Sequence, residues 1–503
     1  MKIIGLLLLL LGSFQSFGSA APFRFHLVSE PGSLRPWEQK NSVAGYFLSQ
    51  ITGTLLSYQD RKLQGNLAEK CLFQNPTHVR CTLRKNLQWS DSSPLTAGDF
   101  VRAFQELSSP QNKAFRADLI FPIKNARKVF QGELPANDLK VQSPTPLILD
   151  IFLEKPDPDF LFSLTSPLLA PLPAEKPPTI EELRKKPDLW KSSGPYTLDT
   201  WEAQKKIRLK NNPHFWKKTE RPPVEILIIN EDTVALSLYE KGELGFLRRL
   251  PTLFIPKFKG RPDYFEIEQF RFDYLGFSQR WKDNTDLRLA LSQSLRYSDL
   301  QNLYHAKGLP GCPGIPAHLL SENICHTLKP DQAKQLWSNL KDKPKKLELL
   351  YSRQGGDDHK RSMEWFQSEW KTQLGANVEV TGLENKIFTE RLEKNPPDIF
   401  RKGIAPERPT CLSALEAFET GNTENYIRFS QKEYDQILAT LRTTTDESKK
   451  KKLCGRALHV LMDLAWIIPT GPIHFTILAQ TRWTGWKLNE LNQLDLSGLK
   501  VKN

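Results

Sequence analysis

The sequence predicts an α/β protein built from more than one lobe, and three observations carry that expectation. The chain has 503 residues, too many for one ordinary core and enough for about three domains. Residues 347–383 read strand, helix, strand: "LELLYS", a stretch with Met363, Phe366, Trp370 and Leu374 on one face, then "NVEVTGL". That order implies parallel strands joined by a right-handed crossover. A strand–turn–helix texture around 78–107 recurs near 270–295, so the α/β pattern is spread along the chain.

Taken in order, "FRFHLV" (23–28) alternates as a strand and runs into the turn-rich "SEPGSLRPW"; residues 45–58 predict a helix. Cys71 and Cys81 flank "LFQNPTHVR", whose Asn-Pro-Thr centre predicts a hairpin with the two thiols on facing strands. "RCTLRKNLQW" predicts a strand, and Asp91, Ser92, Ser93 and Pro94 a turn. Thr96, three residues before Asp99, caps a helix whose Phe100, Ala103, Phe104 and Leu107 share a face. "PLILDIFLE" (146–154) is a strand, and residues 193–216 are two strands around a bend. "VEILIIN" (224–230) is a buried strand followed by a helix through Leu236–Tyr239. "FRFDYLGFS" leads into the helix "DLRLALSQSL" (286–295), and a last helix covers about 446–464. "IIPTGPIHFTIL" closes the chain in extended form.

The start of the chain is a targeting segment by its texture. Lys2, the apolar run "IIGLLLLLLG" and the small residues Gly18 and Ala20 read as a secretory signal cut before Ala21. The run is about half of the roughly twenty residues needed to cross a bilayer. No cysteine lies near the cut, so a lipid anchor is not expected. The formal charge is +13, but Lys and Arg are dispersed. The block Lys449–Lys452 reads as a solvated helix face, and nucleic acid is not an expected partner after export.

Six cysteines in an exported chain suggest disulfides. Cys71 with Cys81 follows from the hairpin, and Cys312 and Cys325 bracket a Pro/Gly loop. A metal site of Cys312, His318, Cys325 and His326 is the alternative there, although its spacing matches no common zinc pattern. Cys411 and Cys454 are left by elimination. No cofactor is expected.

Catalytic signatures are missing from the sequence. There is no G-x-S-x-G, H-E-x-x-H or Walker loop, and Ser278 lacks the flanking glycine of a nucleophile elbow. "SRQGGDD" (352–358) places a glycine pair before a helix, but Asp357 and Asp358 would repel phosphate, so it reads as a plain helix start. Nothing singles out a carboxylate pair such as Glu30 and Glu38 for acid–base work.

One family accounts for the ordered set of segments. "GNLAEKCLFQNPTHVRCTLRKNLQWSDSSPLTAGDFVRAF" (65–104) resembles the signature of the bacterial extracellular solute-binding proteins, family 5, of peptide and nickel transporters. "SEPGSLRPW", "SGPYTLDTWEAQKKIRLKNNPHFW", "DLRLALSQSL" and "ETGNTENYIRFSQKEYDQIL" resemble further family segments in the same order, closest to the oligopeptide-binding branch. The resemblance implies a periplasmic binding protein-like type II fold: two hinged lobes plus an extra α/β domain. Its first domain would take residues 21–50, 186–272 and 468–503, its second 51–185 and its third 273–467. It also implies a soluble periplasmic monomer that captures a peptide between the lobes and presents it to an ABC transporter permease.

The resemblance further assigns candidate ligand contacts. Glu30 and Gly32 fall where oligopeptide binders set a strand edge against the peptide backbone. "RKGIAPERPTCL" (401–412) falls on the family's Arg-x-Gly-Trp-x-Ala-Asp segment, whose Asp meets the peptide amino group. This chain lacks that Trp and carries Pro406 near the Asp position, leaving Glu407 as the replacement carboxylate, with Glu30 a second partner. Ala405 and Arg408 complete the candidate set, and Arg35 stands where the family has Asp. These departures keep two alternatives open: a diverged binder of a non-peptide solute, or a sensor paralogue without a transport role. In either case the protein is expected to show no turnover of a peptide library. Steady cleavage abolished by a single substitution in the cleft would place it among the enzymes instead.

Overall fold

Alternation in "FRFHL" turns Phe23, Phe25 and Leu27 to the interior. In the computed structural model, which describes residues 21–39, 45–304, 311–471 and 474–502, this stretch is the strand Phe23–Leu27. The expected signal segment 1–20 lies outside the described residues. Phe23–Leu27 pairs in parallel with Val224–Ile228. That strand pairs antiparallel with Lys206–Asn211, which pairs with Tyr196–Glu202. Tyr46, Phe47 and Ile51 of the helix Gly45–Ile51 share this core with Trp201 and Trp483. Ile180 and Leu183 of the helix Ile180–Lys185 also pack into it.

The helix expected through residue 58 stops at Ile51. A Cβ at Gly53 would sit 2.7 Å from the Ser193 carbonyl oxygen, so the chain passes too close to its neighbour for a helix to continue there. It re-emerges as the strand Leu56–Gln59.

Within the stretch expected as a second domain lies an antiparallel sheet ordered Ala68–Asn75, His78–Leu83, Ile148–Phe152, Val141–Thr145. Cys71 and Cys81 face each other in the first pair. The helix Ala97–Ser108 lies over the sheet and buries Phe100, Ala103, Phe104 and Leu107. The Thr96 N–H donates to Asp99 Oδ2 at 2.8 Å, so this helix start is held as the sequence predicts. The strand read over "RCTLRKNLQW" ends at Leu83. Past it only one bridge, Gln88 with Pro94, forms, because Ser92 at φ +70° closes a tight turn.

The stretch expected as a third domain carries a five-stranded sheet: Val378–Leu383, Leu347–Ser352, Ile399–Ile404, Phe272–Phe277, Ile467–Pro469; first, second and third domain below name these expected stretches. Leu347–Ser352 is parallel to both its neighbours, as the strand–helix–strand pattern requires. Met363, Phe366 and Trp370 fill one face of this sheet. The helices Lys432–Thr443 and Glu447–Met462 cover the other.

Two chain crossings join the first and third domains, and they lie side by side. Tyr264–Glu268 pairs antiparallel with His474–Ala479 in the first, while Phe272–Phe277 pairs antiparallel with Ile467–Pro469 in the third.

Disulfides join Cys71 to Cys81, Cys312 to Cys325 and Cys411 to Cys454. The alternative metal set at 312–326 is thereby overturned, since both its thiols are consumed, and no metal-binding cluster occurs among the described residues. Cys411–Cys454 spans 43 residues against 10 for Cys71–Cys81. Loop entropy then makes its loss costlier by about 1 kcal/mol. Urea midpoints of the two double Cys→Ala variants check this, with equal or reversed losses counting against it.

Candidate functional site

The first and third domains meet through charged side chains. Gly356, at φ +67°, turns the chain into the helix Gly356–Leu374, whose first turn carries Asp357 and Asp358. Asp358 accepts from Arg249 Nη2 at 3.2 Å and from the Thr252 hydroxyl. Arg361, one turn along, donates to Thr252 Oγ1 at 3.1 Å. Arg249 and Thr252 belong to the first domain and Asp358 and Arg361 to the third, so these bonds cross the seam.

Behind Asp358 lies a second layer. Asp273 is fully buried, accepting from Arg271 Nε at 2.9 Å and from Arg401. A Cβ at Gly403 would fall 1.9 Å from Asp273 Oδ1, so only glycine lets that carboxylate lie against the strand. His359 points Nδ1 at the Ser352 carbonyl, 3.3 Å away. Burial, then the guanidiniums of Arg401, Arg249 and Arg271, hold its pKa well below the ordinary imidazole value, so it is neutral at pH 7.

The first domain contributes a matching layer. His26 is fully buried with neither ring nitrogen hydrogen-bonded, its Nε2 lying 3.7 Å from Asp232 Oδ1. Burial lowers its pKa as well. Asp232 also lies 3.9 Å from Arg249 Nε. Next in sequence, Arg248 is half-buried over the Tyr46 ring, and its Nε has no hydrogen-bond partner. Sequence reasoning passed over this assembly. Its traces were the doublet Arg248-Arg249, the Arg-x-Asp of 271–273 and the aspartates of "GGDD", which lie far apart in the chain.

The residues singled out from sequence lie elsewhere, in two separate places. The Glu30 carboxylate accepts from Arg184 Nη2 at 2.9 Å, Gln204 Nε2 at 2.7 Å and the Trp201 indole, all in one neighbourhood. Gly32 has open space where a Cβ would be, and with Glu30 it lines a surface hollow of about 370 Å³. Arg35 donates to the Pro177 carbonyl and pairs with Glu38 at 3.2 Å.

Ala405 is exposed just past the end of the strand Ile399–Ile404. Glu407 pairs with Arg116 of the second domain. Arg408 reaches Asp157 Oδ2 at 3.0 Å and Glu416 Oε1 at 3.5 Å. Lys450 reaches Asp159 Oδ1 at 3.0 Å, so the lysine block is not wholly solvated: one of its members bridges to the second domain. Cys411–Cys454 ties the segment carrying Arg408 to the helix carrying Lys450. Among the described residues, no hydrogen bond or ion pair links Glu30 or Gly32 to Glu407 or Arg408.

A family model described as "Bacterial extracellular solute-binding proteins, family 5 Middle" matches residues 62–426. The chain belongs to that family. Its members are solute-binding proteins, and the fold is theirs as well. The oligopeptide-binding protein OppA of Bacillus subtilis is 26% identical over 482 residues, covering 90% of this chain and 86% of OppA. The probable deoxycholate-binding periplasmic protein YgiS of Escherichia coli is 25% identical over 468 residues, covering 89% and 87%. The structure of the Escherichia coli murein tripeptide binding protein MppA superposes with a TM-score of 0.81 at 22% identity, over 95% of this chain and 98% of that one. Among the described residues no helix is long and apolar enough to cross a membrane.

The seam between the second and third domains has a measurable consequence. Arg408→Met would leave Asp157 and Glu416 facing each other without their cation, a loss on the order of 3 kcal/mol for a buried pair. Arg456→Met, which removes an exposed partner of Glu433, should cost under about 0.5 kcal/mol. Urea unfolding of both variants checks the contrast, and indistinguishable midpoints would remove the seam from the stability account.

Proposed function

We propose that the protein captures a peptide between its first and third domains and presents it to an ABC transporter permease from the periplasm, after removal of residues 1–20. One observation carries this reading. The two lobes keep separate apolar cores, are joined by two adjacent strand crossings, and touch through ion pairs such as Arg249–Asp358. A charged seam between independent cores opens at low cost, whereas a shared apolar core does not. The similarity to OppA, an oligopeptide-binding protein, supports the ligand class. The three-domain division and a role without catalysis belong to the same proposal.

Within it, Glu407 is the acceptor for the peptide amino terminus, with one oxygen kept by Arg116. Glu30, Gly32, Ala405 and Arg408 act as supports of the cleft walls. A non-peptide solute is the second reading. It is favoured by the Glu407–Arg116 pair, which already neutralises the carboxylate an ammonium would need. The similarity to YgiS, whose name gives deoxycholate as its ligand, supports this reading as well.

Mass spectrometry of the solute that co-purifies with the native protein tests the ligand class, a peptide being expected. Calorimetry then tests Glu407. Glu407→Gln should bind a free-amine peptide tens-fold more weakly and leave its amino-acetylated counterpart almost unchanged, since losing one member of a buried charged pair costs about 2–5 kcal/mol. Equal affinities of wild type and variant for the free amine would take Glu407 out of the site.

A further inference from the structure

Five arginines gather where the first and third domains meet. Arg248 and Arg249 stand on the first domain, Arg271 at the crossing between the two, and Arg361 and Arg401 on the third. Three aspartates meet them. Asp273 is taken by Arg271 and Arg401, Asp358 by Arg249 and Arg361, and Asp232 lies between His26 and Arg249. The two histidines in the cluster, His26 and His359, are neutral at pH 7 and neither add to nor balance the charge.

Arg248 makes no ion pair within bonding distance among the described residues, although its charge is felt by Asp232 and His26. Its Nε is buried without a hydrogen-bond partner, and the Tyr46 ring centroid is 5.8 Å from its Cζ. A guanidinium donates five N–H bonds in a fixed fork that matches a carboxylate. An N–H of the fork that is buried without a partner, as Nε is here, is costly unless an acceptor arrives. Asp232 Oδ1 and both His26 nitrogens lie beside it, also without hydrogen-bond partners. Unsatisfied polar atoms of both kinds around one guanidinium are the mark of a missing polar partner.

We propose that Arg248, with Arg249 beside it, selects acidic ligands: peptides that bring a side-chain carboxylate in addition to their own carboxyl terminus. This rests on the peptide reading above and sharpens it. The side-chain carboxylate takes the fork of Arg248, while Arg249 remains on Asp358 and holds the doublet in place.

The test uses the protein as isolated from cells, stripped of solute by partial unfolding and refolding with its disulfides intact. An equimolar mixture of random tri- to pentapeptides is offered, and the bound fraction is read by mass spectrometry. Wild type should enrich Glu- and Asp-containing peptides. For one enriched sequence and its Glu→Gln twin, calorimetry should show the acidic form binding about tenfold or more tightly. Arg248→Gln should erase that difference while still binding the neutral twin. Arg248→Lys, which keeps charge but not the fork, should restore only part of it. Capture of acidic and neutral peptides alike by wild type, or an undiminished preference in Arg248→Gln, overturns the selection by Arg248 and leaves the peptide reading standing. Capture of no peptide by a protein that refolds with native circular dichroism overturns both.

Discussion

The paired crossing between the first and third domains is the constraint on which the rest of the molecule depends. A single linker would let the lobes twist in any direction. Here two strands leave one sheet and enter the other while running antiparallel, so they act as a ribbon with one easy bending direction. Backbone bonds anchor both ends: Phe270 N–H donates to the Glu490 carbonyl, and Thr470 N–H to the Asp273 carbonyl. The second of these places Asp273, the acceptor for Arg271 and Arg401, directly on the ribbon. Bending the hinge and arranging the charged cluster are therefore mechanically one event.

The second domain breaks the symmetry of that motion. It is fixed to the first by directional bonds, among them Tyr58 Oη to Glu490 at 2.6 Å and Asn489 Nδ2 to the Tyr58 carbonyl at 2.8 Å. Its links to the third domain are ionic: Arg116–Glu407, Asp157–Arg408 and Asp159–Lys450. Separating these pairs exposes both partners of each to water together, which costs far less than deleting one partner and leaving the other buried and unpaired. Such a boundary is compatible with the third domain moving as a body. The Cys411–Cys454 disulfide keeps two of its three cationic or anionic contacts on one rigid mount as it does so.

Much of the fold was legible because it is written in short periods. The Thr96–Asp99 cap, the apolar face of the helix Gly356–Leu374 and the Cys71–Cys81 hairpin each need only local information, and each forms as read. The miss at 45–58 came from tertiary contact: the approach of Ser193 to Gly53 is invisible in a window that sees only one of them. The charged seam was illegible for the same reason. Arg249 and Asp358 are 109 residues apart, and Arg401 and Asp273 are 128 apart. In sequence, "GGDD" reads as an ordinary helix start because its meaning depends on a guanidinium from another domain. The resemblance located the 401–412 segment, but it did not show that Glu407 and Arg408 face the second domain.

The carboxylate site proposed at Arg248 would also couple ligand and closure. Arg248 Nε is buried without a partner in this structure. On the proposed reading, that penalty would belong to the closed form, an opened cleft leaving the guanidinium hydrated. A ligand carboxylate that fills the fork removes the penalty only when the lobes are together, so its binding free energy differs between the two forms. Differential affinity of this kind is the sole quantity that shifts a two-state equilibrium. A solute lacking the carboxylate could occupy the same space yet leave the penalty in place, and the cleft would close on it less completely. On the proposed reading, recognition of the solute and the closed shape would follow from one electrostatic feature, set by residues 248 and 249 beside the strand crossing that carries Asp273.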